Sequence, residues 1–248
     1  MPNRQSHRGK HPQDAKLFAG ERLPALRAAV ADLSFLLSRG YSDTSALKLV
    51  GDHFQLAARQ RRAVLGAACS DESLEGRRAR RVAPGRLRGR RLVLDGYNVL
   101  IIIESALSGG VLLRGRDGCI RDLASVHGSY HKVAETRPAI EQVGAALERL
   151  GIAQCLWLFD APVSNSGRLK QLVLSTAAER GWRWHVELTV KTDDALAKCG
   201  DIVATSDGWI LDRATQWANL VQRVIEALQP QPRVLDLRPR PRNPGASR

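Results

Sequence analysis

The sequence predicts an α/β protein: a three-layer α/β/α sandwich on a mostly parallel sheet, preceded by a small all-α domain. Three observations carry that expectation. Residues 17–75 show helical periodicity and no strand pattern. From residue 91, short β-branched and leucine-rich runs alternate with helical segments. No hairpin signal joins consecutive runs, so the strands pair in parallel through helices covering both faces. The 248 residues suit one large domain or two small ones. With 44% hydrophobic and 25% charged residues, usage is ordinary for a globular chain and excludes wholesale disorder.

Residues 1–16 are polar and are expected to form a disordered tail. In 21–37, Leu23, Leu26, Val30, Leu33 and Leu37 step by three and four, which makes one apolar stripe on a helix that Gly40 ends. Ser42 to Ser45 offer N-caps for a second helix, with Leu47, Val50 and Phe54 on its apolar face. A third helix, 57–68, carries Arg59, Arg61 and Arg62. The triplet reads either as a helix-turn-helix or as a plain bundle with a basic face. Residues 76–90 form an arginine-rich linker. RLVLDGYNVLII, 91–102, reads as a buried strand that breaks at Gly96. Next come a helix from Pro138 to Leu150, a strand at 152–160, a helix from Leu169 to Arg180, a strand at 182–190, a short helix from Asp193 to Lys198, a strand at 201–207 and a helix marked by Trp217, Val221, Val224 and Leu228. The α/β domain thus spans 91–228. Residues 229–248 read as a Pro- and Arg-rich tail in which RVLDL, 233–237, is a candidate edge strand.

The net charge of +13 is uneven. Residues 1–90 hold 18 basic and 8 acidic residues, net +10, and 91–248 hold 20 and 17, net +3. Eight arginines crowd into 76–91. Unpaired burial would strip them of hydration, so the run is expected to be a solvated linker or a polyanion contact. No apolar run is long enough to span a membrane, and the start lacks the apolar core of a secretory signal. The four cysteines stand far apart, against both a disulfide framework and a zinc knuckle. A cytoplasmic protein is the resulting expectation.

Asp95, Asp160 and Asp207 end three strands, and Asp193 and Asp194 open the helix after another. In a parallel sheet the carboxyl ends share one edge, where ligands bind. Crowded carboxylates repel and raise each other's pKa, unless a divalent cation neutralises them. Hard oxygen donors without His or Cys favour Mg²⁺ or Mn²⁺ over zinc, and such a site suits phosphodiester hydrolysis. The competing reading for each Asp alone is a helix cap. A phosphatase-like or nucleotide-binding enzyme also fits strand-end aspartates, but no Walker loop or G-x-G-x-x-G supports nucleotide binding.

LDGYNVLI (94–101), WLFDA (157–161), LTVKTDDALAK (188–198) and DIVATSDGWIL (201–211) resemble, in family order, the motif blocks of PIN-like nucleases of the NYN type. Residues 1–75 resemble the helical region of the uncharacterised family numbered 434 among domains of unknown function. The first resemblance implies an acidic pocket dependent on Mg²⁺ or Mn²⁺, and RNA more than DNA as the partner. It makes Asp95, Asp160, Asp193, Asp194 and Asp207 metal-binding candidates and Asn98 the residue that orients Asp95 or touches phosphate. It also implies an acidic residue in the long 102–137 insertion, for which Asp122 comes first, then Asp117 and Glu104. Arg114, Arg116 and Arg121 are candidate phosphate clamps, Ser164 lies in an S-N-S-G turn whose amides suit phosphate, and Ser206 joins them as a substrate contact. His127 and His131 are weaker metal candidates. Trp209 is the best placed tryptophan for base stacking. A catalytically degenerate nucleic-acid-binding or regulatory module is the alternative.

Overall fold

The structure is a computed structural model that describes residues 7–8, 10–124 and 130–240. The N-terminal part is helical: α1 (Asp14–Leu17), α2 (Leu23–Ser38), α3 (Asp43–His53), α4 (Ala58–Ala67) and α5 (Asp71–Arg80). The Ser42 and Ser70 hydroxyls cap α3 and α5 by accepting from Ser45 N and Ser73 N. Next come β1 (Arg91–Asp95), α6 (Gly96–Leu107), β2 (Leu112–Arg114), β3 (Ile120–Asp122) and α7 (Thr136–Arg149). The chain continues through β4 (Gln154–Asp160), α8 (Ser166–Arg180), β5 (Trp184–Thr189), α9 (Thr192–Ala197) and β6 (Ile202–Ala204). It ends with α10 (Gly208–Leu211), α11 (Leu220–Ala227) and β7 (Val234–Asp236).

The main sheet has the order β5-β4-β1-β6, with every pairing parallel. Side chains alternate across it. Leu92, Leu94, Trp157 and Phe159 enter a large core with residues of α6, α7, α8 and α11. Val93, Leu156, Leu158 and Val203 face the other way, onto Leu196, Ile210 and Ala214 of the α9–α10 side. Helices therefore cover both faces, as expected. Gly181 ends α8 at φ +70°, a conformation that a side chain would strain.

Several boundaries differ from the sequence reading. The apolar run after Gly96 is helical: α6 is buried nearly all round and so has no polar face to betray its period. The insertion supplies β2 and β3 of a second, three-stranded sheet, β3-β2-β7, and the candidate edge strand completes it as β7, parallel to β2. Leu113, Leu123, Leu235 and Leu237 of that sheet region share one core with Leu26, Leu33, Val50 and Val64 of the helices. The described part of the expected N-terminal tail is tied down. Asp14 is buried in an ion pair with Arg59, and Arg8 reaches the buried Glu104. The expected linker begins inside α5, and Arg77 is 5% exposed.

Candidate active site

β1 lies in the middle of the main sheet. The chain leaves it for β4 and β5 on one side and returns to β6 on the other. The carboxyl ends of β1 and β6 therefore flank a topological switch point, where open parallel sheets bind ligands. Asp95 ends β1, and Thr205, Ser206 and Asp207 follow β6. The signature around Asp95 has a steric reason. A Cβ on Gly96 would lie 2.4 Å from Phe159 Cε1 and 2.6 Å from the Leu158 carbonyl, so only glycine lets α6 start this close to β4.

Asp95 is buried. The Thr205 hydroxyl donates to its Oδ2 at 2.7 Å and accepts from Asp207 N at 3.0 Å. Asn98 Oδ1 accepts from Ser206 N at 2.8 Å, locking the first turn of α6 to the loop after β6. Burial, opposed by the Thr205 bond and reinforced by the negative charges of Asp207 and Asp193, pushes the Asp95 carboxyl up to about 7. Asp193, exposed at the start of α9, is also raised, first by desolvation and then by Asp207, Asp160 and Asp194. The five strand-end aspartates thus share one electrostatic neighbourhood, and among the described residues none of them has an ion-pair partner. Asp207 Oδ1 caps α10 by accepting from Trp209 N and Ile210 N. Asp160 is half-buried, and its charge adds to burial in raising the Tyr97 phenol to about 12. Among the described residues, no three His, Cys, Asp or Glu side chains gather tightly enough to hold an ion as they stand. The donor atoms of the five aspartates are all oxygen, the type that hard dications take.

The insertion candidates part company. Asp117 is locked away: Arg77 Nη1 and Arg121 Nη2 each lie 2.6 Å from its Oδ2, its side chain is 2% exposed, and the two guanidiniums overcome burial to hold it far below the usual carboxylate range. Glu104 is fully buried beneath Arg8, the Tyr130 hydroxyl and the Thr136 hydroxyl, and burial raises it. Asp122, the first of the insertion candidates, sits at the end of β3. Burial lifts it to about 6 while Ala124 N donates to it at 2.6 Å. It nevertheless lines a cleft of about 630 Å³ shared with Asn98, Ser206 and Asp207.

The phosphate-clamp candidates have other work. Arg121 pairs with Asp117 and donates to the Ser206 carbonyl at 2.8 Å. Arg116 bonds the Cys69 carbonyl and Asp71. Arg114 lies on β2, away from the main sheet's edge, beside the charge of Asp236. Ser164 is exposed on the loop after β4. His127 lies outside the described residues, and His131 lines a separate pocket with Lys132 and Arg168. The arginine run divides. Arg77 bonds Asp212 and the Gly208 carbonyl beside the site, whereas Arg88 to Arg91 stand at the amino end of β1, one strand length of about 15 Å from Asp95. Thr205, which the sequence reading did not single out, is the residue that ties Asp95 to Asp207.

Fold and site together define an α/β protein with electrostatically coupled carboxylates near a sheet switch point, joined to a helical region. Residues 84–223 match the family described as Domain of unknown function (DUF5616), and the chain belongs to that family. Residues 25–80 match Protein of unknown function (DUF434), in line with the resemblance of the helical segment. Over 207 residues the chain is 27% identical to Uncharacterized protein MJ0935 of Methanocaldococcus jannaschii, covering 83% of this chain and 99% of that protein. No solved structure matches. Among the described residues, no helix is long and apolar enough to cross a membrane.

Proposed function

We propose that this protein hydrolyses phosphodiester bonds of nucleic acid, RNA before DNA, at the carboxyl edge of its main sheet with Mg²⁺ or Mn²⁺. The observation that carries the reading is Asp95. It is a buried carboxylate without a basic partner among the described residues, raised first by burial and then by Asp207 and Asp193 at the switch point. Evolution rarely leaves such a charge unpaired without a use. The four PIN-like motif blocks supply these same aspartates, and the +13 net charge suits a polyanion. Asp95, Asp193 and Asp207 would hold the cation, with Asp160 and Asp194 at its margin. The ion would supply Lewis acidity toward a phosphoryl oxygen and acidify the attacking water. Thr205 fixes the Asp95 carboxylate, and Asn98 fixes the loop that carries Asp207.

One observation favours a second reading, a nucleic-acid-binding or regulatory module on a degenerate nuclease fold: no three carboxylates gather among the described residues. Titration calorimetry with Mn²⁺ and cleavage of a labelled single-stranded RNA discriminate. Saturable Mn²⁺ heat and cleavage that both vanish in Asp95→Asn and Asp207→Asn support the hydrolase. Salt-sensitive RNA binding with no Mn²⁺ heat and no turnover supports the module.

A further inference from the structure

The 630 Å³ cleft lies between the helical region and the loop after β6, so two separate parts of the chain wall it. Five large apolar side chains are conspicuously exposed among the described residues, and two of them, Tyr41 at 57% and Trp209 at 43%, line this cleft. Exposing an indole forgoes a large burial gain, and this one is held in place instead. The Arg213 guanidinium lies 4.1 Å from the Trp209 ring centroid and donates to the Trp209 carbonyl at 3.1 Å. Ser206, which also lines the cleft, is 1% exposed, yet its Oγ has no hydrogen-bond partner among the described residues. A buried hydroxyl left unpaired is costly unless a ligand completes it. The same wall carries Asn98 and Asp207, so whatever enters lies next to the carboxylate edge.

From this arrangement we infer that the cleft is a subsite for an unpaired nucleobase, so that the substrate is single-stranded nucleic acid. This deepens the hydrolase reading and rests on it only for what happens to the bound strand. Tyr41 and Trp209 offer aromatic faces on which any base stacks, Arg213 reinforces the indole, and Ser206 Oγ offers one hydrogen bond to the base edge. A cleft of this volume has the size of a small-ligand pocket. It admits a splayed base and excludes one held inside a duplex.

The test measures binding in EDTA, apart from catalysis. A fluorescein-labelled 12-nucleotide oligouridine and a blunt RNA duplex of the same length are titrated with the full chain, by anisotropy and by quenching of tryptophan emission. The expected result is tighter binding of the single strand, with affinity falling about 5- to 150-fold in Trp209→Ala and in Tyr41→Ala. Trp209→Phe and Tyr41→Phe should retain most of the affinity, and every variant an unchanged circular dichroism spectrum. Equal binding of duplex and single strand, no binding, or unchanged affinity in both alanine variants overturns the inference. A parallel Mn²⁺ cleavage assay separates the two readings. Aromatic-dependent binding without cleavage removes the hydrolase and keeps the subsite. Asp95-dependent cleavage indifferent to Trp209 and Tyr41 does the reverse.

Discussion

Asp95 and Asp117 are both aspartates with buried side chains, and they are opposites. Asp117 sits between Arg77 and Arg121 and is driven strongly toward ionisation. Asp95 has no cation against it: burial, with the like charges of Asp207 and Asp193, outweighs the Thr205 hydroxyl and pushes it up to about 7. Equal burial thus has contrary consequences, because the partner and not the depth decides the sign. Asp117 is scaffold. It fastens α5 and the β2–β3 turn together, while Arg77 and Arg121 hold the carbonyls of Gly208 and Ser206 from behind. Asp95 is a charge held in readiness at a switch point.

Four experiments break or sharpen this contrast. The largest effect is expected for Asp117→Asn. It takes from buried Arg121 its carboxylate and leaves Arg77 only Asp212, and should cost about 3 kcal/mol in urea denaturation near neutral pH. Its folded pKa is depressed, so its stabilisation is fully present above the unfolded value of about 4 and fades as pH falls through the folded value. The gap between wild type and variant should therefore narrow only in strong acid. Asp95→Asn is expected to do the opposite to stability while abolishing Mn²⁺-dependent cleavage. Its folded pKa is raised, so the protein loses stability as pH climbs from about 4 toward 7. The variant should melt higher than wild type at pH 8, by roughly 2–4 °C per kcal/mol recovered, and equally at pH 4. Thr205→Val removes the hydroxyl that favours the ionised carboxylate. The acidic limb of the cleavage profile should move up by about one pH unit, and the loss of the acceptor for Asp207 N should cost about 1 kcal/mol in melts at pH 5. The smallest effect is expected for Arg116→Ala. Its partner Asp71 is well exposed, so thermal melts should register under about 1 kcal/mol.

Much of the main sheet is legible in the residues, because β4 and β5 are long enough to show their pattern and Gly151 and Gly181 mark where helices stop. The strand-end aspartates follow from that reading at once. What escapes it is short or non-local. β2 and β3 have three residues each, too few for any period to register inside the insertion, and only β7 of that sheet is marked in the sequence, as a candidate edge strand. Arg77 looks solvated in a run of eight arginines because its partner Asp117 lies forty residues away and Asp212 farther still. Thr205 resembles an ordinary cap residue, and only three-dimensional proximity shows its hydroxyl between two aspartates. Asp122 was placed by order along the chain, which does not reveal that a second sheet carries it.

The core shared by the helices and the β3-β2-β7 sheet has a practical corollary for anyone cutting the gene. A fragment trimmed to the larger family segment, 84–223, would lose α2–α4 and also β7, laying Val111, Leu113 and Leu123 bare to water. We expect such a fragment to clump, and the two segments to travel as a single heritable piece.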